Sequence, residues 1–250
     1  MTSSKKIILW FLVLGPFIGL FSLVQLTSMG FFGDLPTFEQ LENPKNNLAT
    51  EVISEDGVVL GKYFFENRSR VRYDELPENL INALIATEDV RFREHSGIDG
   101  RALLRAIFGA VTGKSSSGGA STITQQLAKM LFTDQPSSGI DRVMQKLKEW
   151  VIAAQLEKRY TKDEILSMYL NRFDWVNNAV GIKSAAGVYF NKKPFELDIK
   201  EAAMLVGMLK NPALYNPNRR LELTKGRRNI VLSQMNRYDF ISDSLFDTLK

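Results

Sequence analysis

Three clusters of residues in this chain could do chemistry, and all three fall on helical repeats. The first is "ATEDVRFREHSGIDG", residues 86–100, which holds Glu88, Asp89 and the chain's only histidine, His95. Upstream, apolar residues recur at Leu80, Ile81, Leu84 and Ile85, and Glu88 follows at helical spacing from them. That spacing puts Glu88 on the apolar stripe and not on the solvent face. A carboxylate turned toward low dielectric has its charged form disfavoured, and a less acidic carboxyl group suits a general base near neutral pH. The alternative is a helix that frays at Glu88 and lets the side chain reach water. Asp89 lies off the stripe, where capping or orienting the next loop is the ordinary role. His95 reads as a structural hydrogen-bonding residue sooner than as a proton shuttle.

The second cluster is "SSSGGASTITQQLAKMLF". Thr122 and Gln125 have the spacing of a capping box, with Ser121 as an alternative N-cap. A helix N-terminus offers free N–H groups to an anion. Thr122, Gln126 and Lys129 share a polar face, which suits a phosphate or sugar; an ordinary capped amphipathic helix fits equally. The third cluster lies in "GIDRVMQKLKEWVIAAQLEKRYTKDEILSMYLN". Ile140, Val143, Met144, Leu147, Val151 and Ala154 form an apolar stripe, and Arg142, Lys146 and Glu149 share another face. Lys146 and Glu149 can pair at i,i+3. Either this is a surface ion pair, or a carboxylate and two cations line a cleft with Glu88.

The elements that must position these groups follow from the rest of the chain. With no cysteine and one histidine in 250 residues, thiolate chemistry, disulfides and multi-histidine metal sites are excluded. The net charge of +4 favours anionic partners. Lys5 and Lys6 precede an apolar run from Ile7 past Leu26. Its length matches the ~20 residues of a bilayer span, and the lysine asymmetry places the N-terminus in the cytoplasm. The reading is a tail over 1–6, a transmembrane anchor over 7–29 and a linker over 30–48. Everything beyond then lies outside the cytoplasm, where nucleic acid is no substrate. Residues 50–77 alternate and carry an Asp56-Gly57 turn, which predicts a small β-hairpin. Helical periodicity predicts helices over 78–91, 100–112, 121–133, 140–158, 161–172, 180–190, 198–210 and 219–236. A Gly/Ser-rich loop, "VTGKSSSGGA", separates two of them. The fold class is mostly α.

Taken together, "EDVRFREHSGID", "GGASTITQQLAKMLF", "QKLKEWVIAAQLEKRYTKDEILSMYLN" and "EAAMLVGMLKNPALYNP" resemble, in wording and order, four motif regions of glycosyltransferase family 51. This is the peptidoglycan glycosyltransferase domain of class A penicillin-binding proteins and monofunctional transglycosylases. The resemblance covers 49–218 and implies a lysozyme-like, two-lobed helical fold around a cleft. Residues 219–250 resemble the helical extension that leads class A proteins toward a transpeptidase domain. It implies polymerisation of lipid II onto a growing lipid-linked glycan, with inversion and release of undecaprenyl pyrophosphate, by an enzyme of the bacterial cytoplasmic membrane working with cell-wall machinery. By the same resemblance Glu88 is the general base and Glu149 the second acidic residue. Thr122, Gln126, Lys129 and Lys146 bind sugars and pyrophosphate, with Asp89, His95 and Arg142 beside them. No cofactor is required, though a divalent cation could sit at the pyrophosphate. Met130 stands where the family usually has asparagine, and Gln145 where it has arginine; the Gln145 change removes a fixed bidentate donor, for which Arg142 or Lys148 could substitute. Two rival readings remain: a catalytically idle membrane-anchored scaffold, and a lysozyme-like enzyme that cleaves peptidoglycan with water as acceptor.

Overall fold

The computed structural model describes residues 3–37, 50–54, 56, 59–63, 70–113, 121–133, 136 and 138–250. Most of the expected linker, Gly57 of the expected turn and residues 114–120 of the Gly/Ser-rich loop lie outside these. The chain opens with α1 (Ser3–Ser28). Strands β1 (Thr50–Ile53) and β2 (Val59–Tyr63) pair antiparallel, with an irregularity between Val52 and Ile53. Then follow α2 (Glu78–Glu88), α3 (Gly100–Thr112), α4 (Ile123–Phe132), α5 (Gly139–Arg159), α6 (Lys162–Arg172), α7 (Ile182–Phe190), α8 (Ile199–Met208), α9 (Leu221–Arg237) and α10 (Asp243–Leu249).

Local chemistry sets these boundaries. Pro77 is the N-cap of α2, where its missing N–H costs no hydrogen bond. Thr161 with Glu164 and Asp198 with Glu201 form reciprocal capping boxes that start α6 and α8. Ser138 caps α5 through the Asp141 N–H. Asn191 ends α7 in the left-handed region, where a short polar side chain is tolerated.

Two groups of helices build the domain. α2 packs against α8 and α9, and α4 packs against α5 and α6. One apolar core runs through both, with Leu80, Leu84, Phe92, Ile123, Leu127, Ile152, Leu156, Tyr169 and Trp175 fully buried. The Trp175 indole N–H donates to the Leu205 carbonyl at 2.9 Å, which satisfies its polar atom in the core. The boundary drawn at 218 from sequence does not coincide with an edge of this core. α9 contributes Val231, Leu232 and Met235 to it, all fully buried.

The anchor expected over 7–29 is borne out only as a helix. A continuous helix does run through that segment. However, among the described residues no helix is long and apolar enough to cross a membrane. The last turn of α1 carries Gln25, Thr27 and Ser28, and the Thr27 hydroxyl turns back to the Leu23 carbonyl. A transmembrane span is therefore not shown.

The connection from α2 to α3 is clamped between α4 and α5. Gly97 has φ +89, and a Cβ there would meet the backbone carbonyl of Ala153 at 2.9 Å. Its own carbonyl accepts from the Thr122 hydroxyl at 2.6 Å and the Gln125 amide at 3.2 Å. Substituting Gly97→Ala therefore combines a left-handed backbone penalty with a steric clash against a helix. A loss of at least ~2 kcal/mol is expected, given that such strain alone costs ~1–3 kcal/mol, and urea unfolding measures it. An unchanged midpoint would show that the loop is free to move away from α5.

Candidate active site

Glu88 is the last residue of α2, and its side chain is half-buried. One carboxylate oxygen accepts from the Gln126 side-chain N–H at 3.0 Å. The Gln126 carbonyl accepts in turn from the Tyr169 hydroxyl at 2.9 Å. Burial pushes the Tyr169 phenol well above its ordinary value, and the Glu88 charge adds to that shift. The helix does not fray at Glu88; the stripe delivers the carboxylate to a cleft.

Asp89 is buried and fully engaged. It accepts from His95 Nε2 at 3.0 Å and from the backbone N–H of Ile123, in the first turn of α4, at 3.1 Å. An acidic group at a helix N-terminus takes up orphan N–H donors and complements the dipole. Asp89 thus joins the end of α2, the following loop and the start of α4. His95 packs edge-on to Phe92, with ring centroids 6.1 Å apart. Lys162 lies 4.3 Å over the Phe92 ring and donates both to the His95 carbonyl and to Glu157.

Asp99 closes the loop at its other end. It caps α3 through the Arg101 and Ala102 N–H groups and takes a bidentate ion pair from Arg91 at 2.6–2.7 Å. Burial works to raise its pKa, but the Arg91 hydrogen bond, the Ala102 N–H and the Arg91 charge outweigh that and hold it below the ordinary value. This stabilisation is present above the unfolded-state value and is lost as pH falls through the lowered folded-state value.

Thr122 is the N-cap of α4, as its spacing indicates, but the capping box does not form. The Gln125 side chain turns to Gly97 instead of back to the cap. The Thr122 hydroxyl is likewise spent on Gly97 and is almost fully buried. Lys129, one turn beyond Gln126, is exposed, and so is Arg142. Lys146 donates to Glu149 and to the Ser121 hydroxyl, both at 2.8 Å, and Glu149 is buried.

A cavity of about 1190 Å³ opens beside Glu88. Its wall takes in Glu88, Asp89, Ser121, Thr122 and Gln126. It does not take in Lys129, Arg142, Lys146 or Glu149, so the third cluster does not share this wall with Glu88. Lys146 is linked to the wall through Ser121, and its ammonium also pairs with the buried Glu149. The opposite wall was missed from sequence: Lys210 after α8, and Arg227, Ile230, Gln234 and Arg237 on α9. Their spacing of three, four and three residues is a stripe opposite the Val231, Leu232 and Met235 core face. Arg105 of α3 adds another cation. Asp89 and Asp99 on this wall are already bonded and Glu94 is exposed, so the cavity sets the half-buried Glu88 near several cations, which suits a proton acceptor beside an anionic group.

The family model described as Transglycosylase matches residues 56–236. Penicillin-binding protein 1A of Escherichia coli is 37% identical over 213 residues, covering 85% of this chain and 25% of that protein. Penicillin-binding protein 1A of Aquifex aeolicus is 36% identical over 244 residues, covering 97% and 33%. Penicillin-binding protein 1F of Bacillus subtilis is 36% identical over 194 residues, covering 78% and 27%. The chain therefore spans a quarter to a third of the length of these relatives. A crystal structure of penicillin-binding protein 1A from Haemophilus influenzae is similar with a TM-score of 0.44 and 22% identity, covering 82% of this chain and 20% of that one.

The role of Asp89 in holding two helices together is open to test. Asp89→Asn keeps the shape but removes the charge that serves His95 and the α4 N-terminus. A loss of about 1.5–3 kcal/mol is expected, the scale of a hydrogen bond to a charged group, read by chemical denaturation. Full retention of stability would mean that neither contact holds the loop.

Proposed function

The chain belongs to the transglycosylase family, and on that footing we propose that it is a peptidoglycan glycosyltransferase acting on lipid II. The observation that carries this reading is the half-buried Glu88 carboxylate, held on one oxygen by Gln126 and facing a large cation-lined cavity. Glu88 takes the proton of the acceptor's 4-hydroxyl as that oxygen bonds to the donor's anomeric carbon. The carbon–oxygen bond to the lipid pyrophosphate breaks on the opposite face, so the configuration inverts and a β-1,4 link forms. The leaving pyrophosphate gathers negative charge, which cations positioned around it stabilise more in the transition state than in the ground state. Lys129, exposed on the α4 surface one turn from Gln126, and Lys146 at Ser121 serve that group. Glu149 sets the position of Lys146, and His95 and Asp89 hold the frame. Arg142 stands on the same helix as Lys146 as a further cation for the substrate. Gln145 donates to Thr133 at 3.1 Å and so does not replace the arginine usual at its position. The reaction needs no cofactor. A divalent cation could accompany the pyrophosphate.

The same reading places the chain at the extracytoplasmic face of the membrane, beside other cell-wall enzymes. Trp10, Ile18 and Phe21 on α1 are each more than 60% exposed, and a helix that presents such residues outward calls for a lipid environment. On α3, Leu104 and Phe108 are exposed beside Arg101 and Arg105, as on helices that lie in the lipid interface. The helical spacing puts Ile107 and Val111 on the same face, though their side chains lie outside the described residues. A form lacking residues 1–30 should still bind anionic liposomes, and Phe108→Asp should weaken that binding several-fold. Equal binding by both forms would remove α3 from the interface.

The direct assay uses purified protein and labelled lipid II. Wild type should make glycan polymer, and Glu88→Gln, which keeps shape and loses basicity, should make none while remaining folded. Release of soluble fragments from preformed glycan would favour the peptidoglycan-cleaving reading, and no product at all the idle scaffold. Lys129→Ala should cost about 1.5–3 kcal/mol in kcat/KM, the scale of a charge-assisted hydrogen bond. Unchanged kinetics would remove Lys129 from the site.

A further inference from the structure

Gln126 can face Glu88 in either of two ways, and Tyr169 decides between them. An ionised carboxylate only accepts hydrogen bonds, so the amide must present its NH₂ group to Glu88. Its carbonyl then points the other way, to the Tyr169 hydroxyl, which donates at 2.9 Å. Tyr169 is fully buried in α6, and Gln126 is the one hydrogen-bond partner of its hydroxyl among the described residues. A flipped amide would offer NH₂ to the phenol and its carbonyl to Glu88. That arrangement suits only a protonated Glu88, and it would leave the buried Tyr169 O–H without an acceptor. An unsatisfied buried donor is costly. The phenol cannot escape this by ionising, because burial and the nearby Glu88 charge hold its proton.

We propose that Tyr169 is a positioning residue that locks the Gln126 amide with its NH₂ toward Glu88, and so keeps Glu88 in its proton-accepting form between turnovers. The inference rests on the reading of Glu88 as the general base. Tyr169 touches no substrate; it acts through Gln126. Its position explains why a hydroxyl stands fully buried beneath a catalytic cleft, at a place where phenylalanine would pack as well.

The test is Tyr169→Phe, which removes one oxygen and leaves the ring. The amide is then free to turn its carbonyl toward Glu88, which takes a donor away from the carboxylate. The acid limb of the pH–rate profile for lipid II polymerisation should move up by about one pH unit, the scale of a weakened charged hydrogen bond. At pH below the wild-type limb, kcat should fall about tenfold with KM nearly unchanged. Other charged groups face the cavity: Asp89, Arg91, Glu94 and Asp99 on the segment of Glu88, Arg105 from α3, Lys210 after α8, and Arg227 and Arg237 from α9. Tyr169→Phe alters none of them, so the difference between the two profiles belongs to the Tyr169–Gln126–Glu88 chain.

A second readout does not depend on turnover. The side-chain NH₂ signals of Gln126, followed by NMR, should move with the Glu88 titration, and in Tyr169→Phe that movement should occur at higher pH. Gln126→Leu, which leaves Tyr169 intact, should shift the acid limb in the same direction and guards against a Tyr169→Phe protein that fails to fold. Coincident profiles and coincident amide titrations for wild type and Tyr169→Phe would overturn the proposal. An NMR shift without any polymerising activity in wild type would leave the relay standing and overturn the glycosyltransferase reading instead.

Discussion

The arrangement of the site depends on one buried carboxylate, that of Asp89. It sits where α2 stops, and its oxygens take the His95 imidazole and the Ile123 N–H at the start of α4. Those two contacts settle how far α4 stands from α2. Gln126 is three residues into α4 from Ile123, so the same contact that seats the helix brings its amide to Glu88. The loop that leads from α2 to α3 is held as firmly. Phe92 is buried in the core, Gly97 is pressed against α5, and Asp99 is locked by Arg91. An acidic pair at a helix end is thus divided by environment. Asp89 is buried and spent on structure, while its neighbour Glu88 remains half-exposed with one oxygen toward the cleft.

Charge is arranged to match. Most carboxylates near the cleft already have a cation or N–H partner: Asp99 with Arg91, Glu149 with Lys146, and Glu157 with Lys162. These pairs are at least partly buried, where losing one partner is costly. They hold α4, α5, α6 and the loop in register. Lys162 is the clearest case, because one ammonium serves Glu157, the His95 carbonyl and the Phe92 ring together. What remains facing the cavity is a set of cations from α3, α9 and the turn after α8, together with the half-buried Glu88 and the exposed Glu94. That asymmetry favours a ligand that carries both an anionic group and a hydroxyl to be deprotonated.

Much of this was legible in the sequence, because helix and motif signals are local. The stripe ending at Glu88, the Thr122 cap and the Lys146–Glu149 pair all follow from spacings of three and four residues. What was not legible depends on contacts between distant segments. Tyr169 lies 43 residues from Gln126, and nothing near it marks its hydroxyl as part of a site. The Thr122–Gln125 spacing reads as a capping box, yet the carbonyl of Gly97, 28 residues before Gln125, competes for the amide and wins it. The α9 stripe of Arg227, Ile230, Gln234 and Arg237 was readable as a pattern. It was passed over because the helix seemed to lead out of the domain, whereas it packs on α2 and α8 and forms a cleft wall.

On the function proposed above, lipid II occupies the cavity between the α2–α4 junction and α9. Methyl NMR tests it most directly, because Ala86, Ala102, Leu209 and Ile230 line that cavity while Val188 of α7 is exposed and takes no part in its wall. Titrating lipid II into methyl-labelled Glu88→Gln protein, which binds without turning over, should shift the four cavity methyls together and leave Val188 still. Unmoved cavity methyls at saturating lipid II, or shifts confined to other surfaces, would contradict the account.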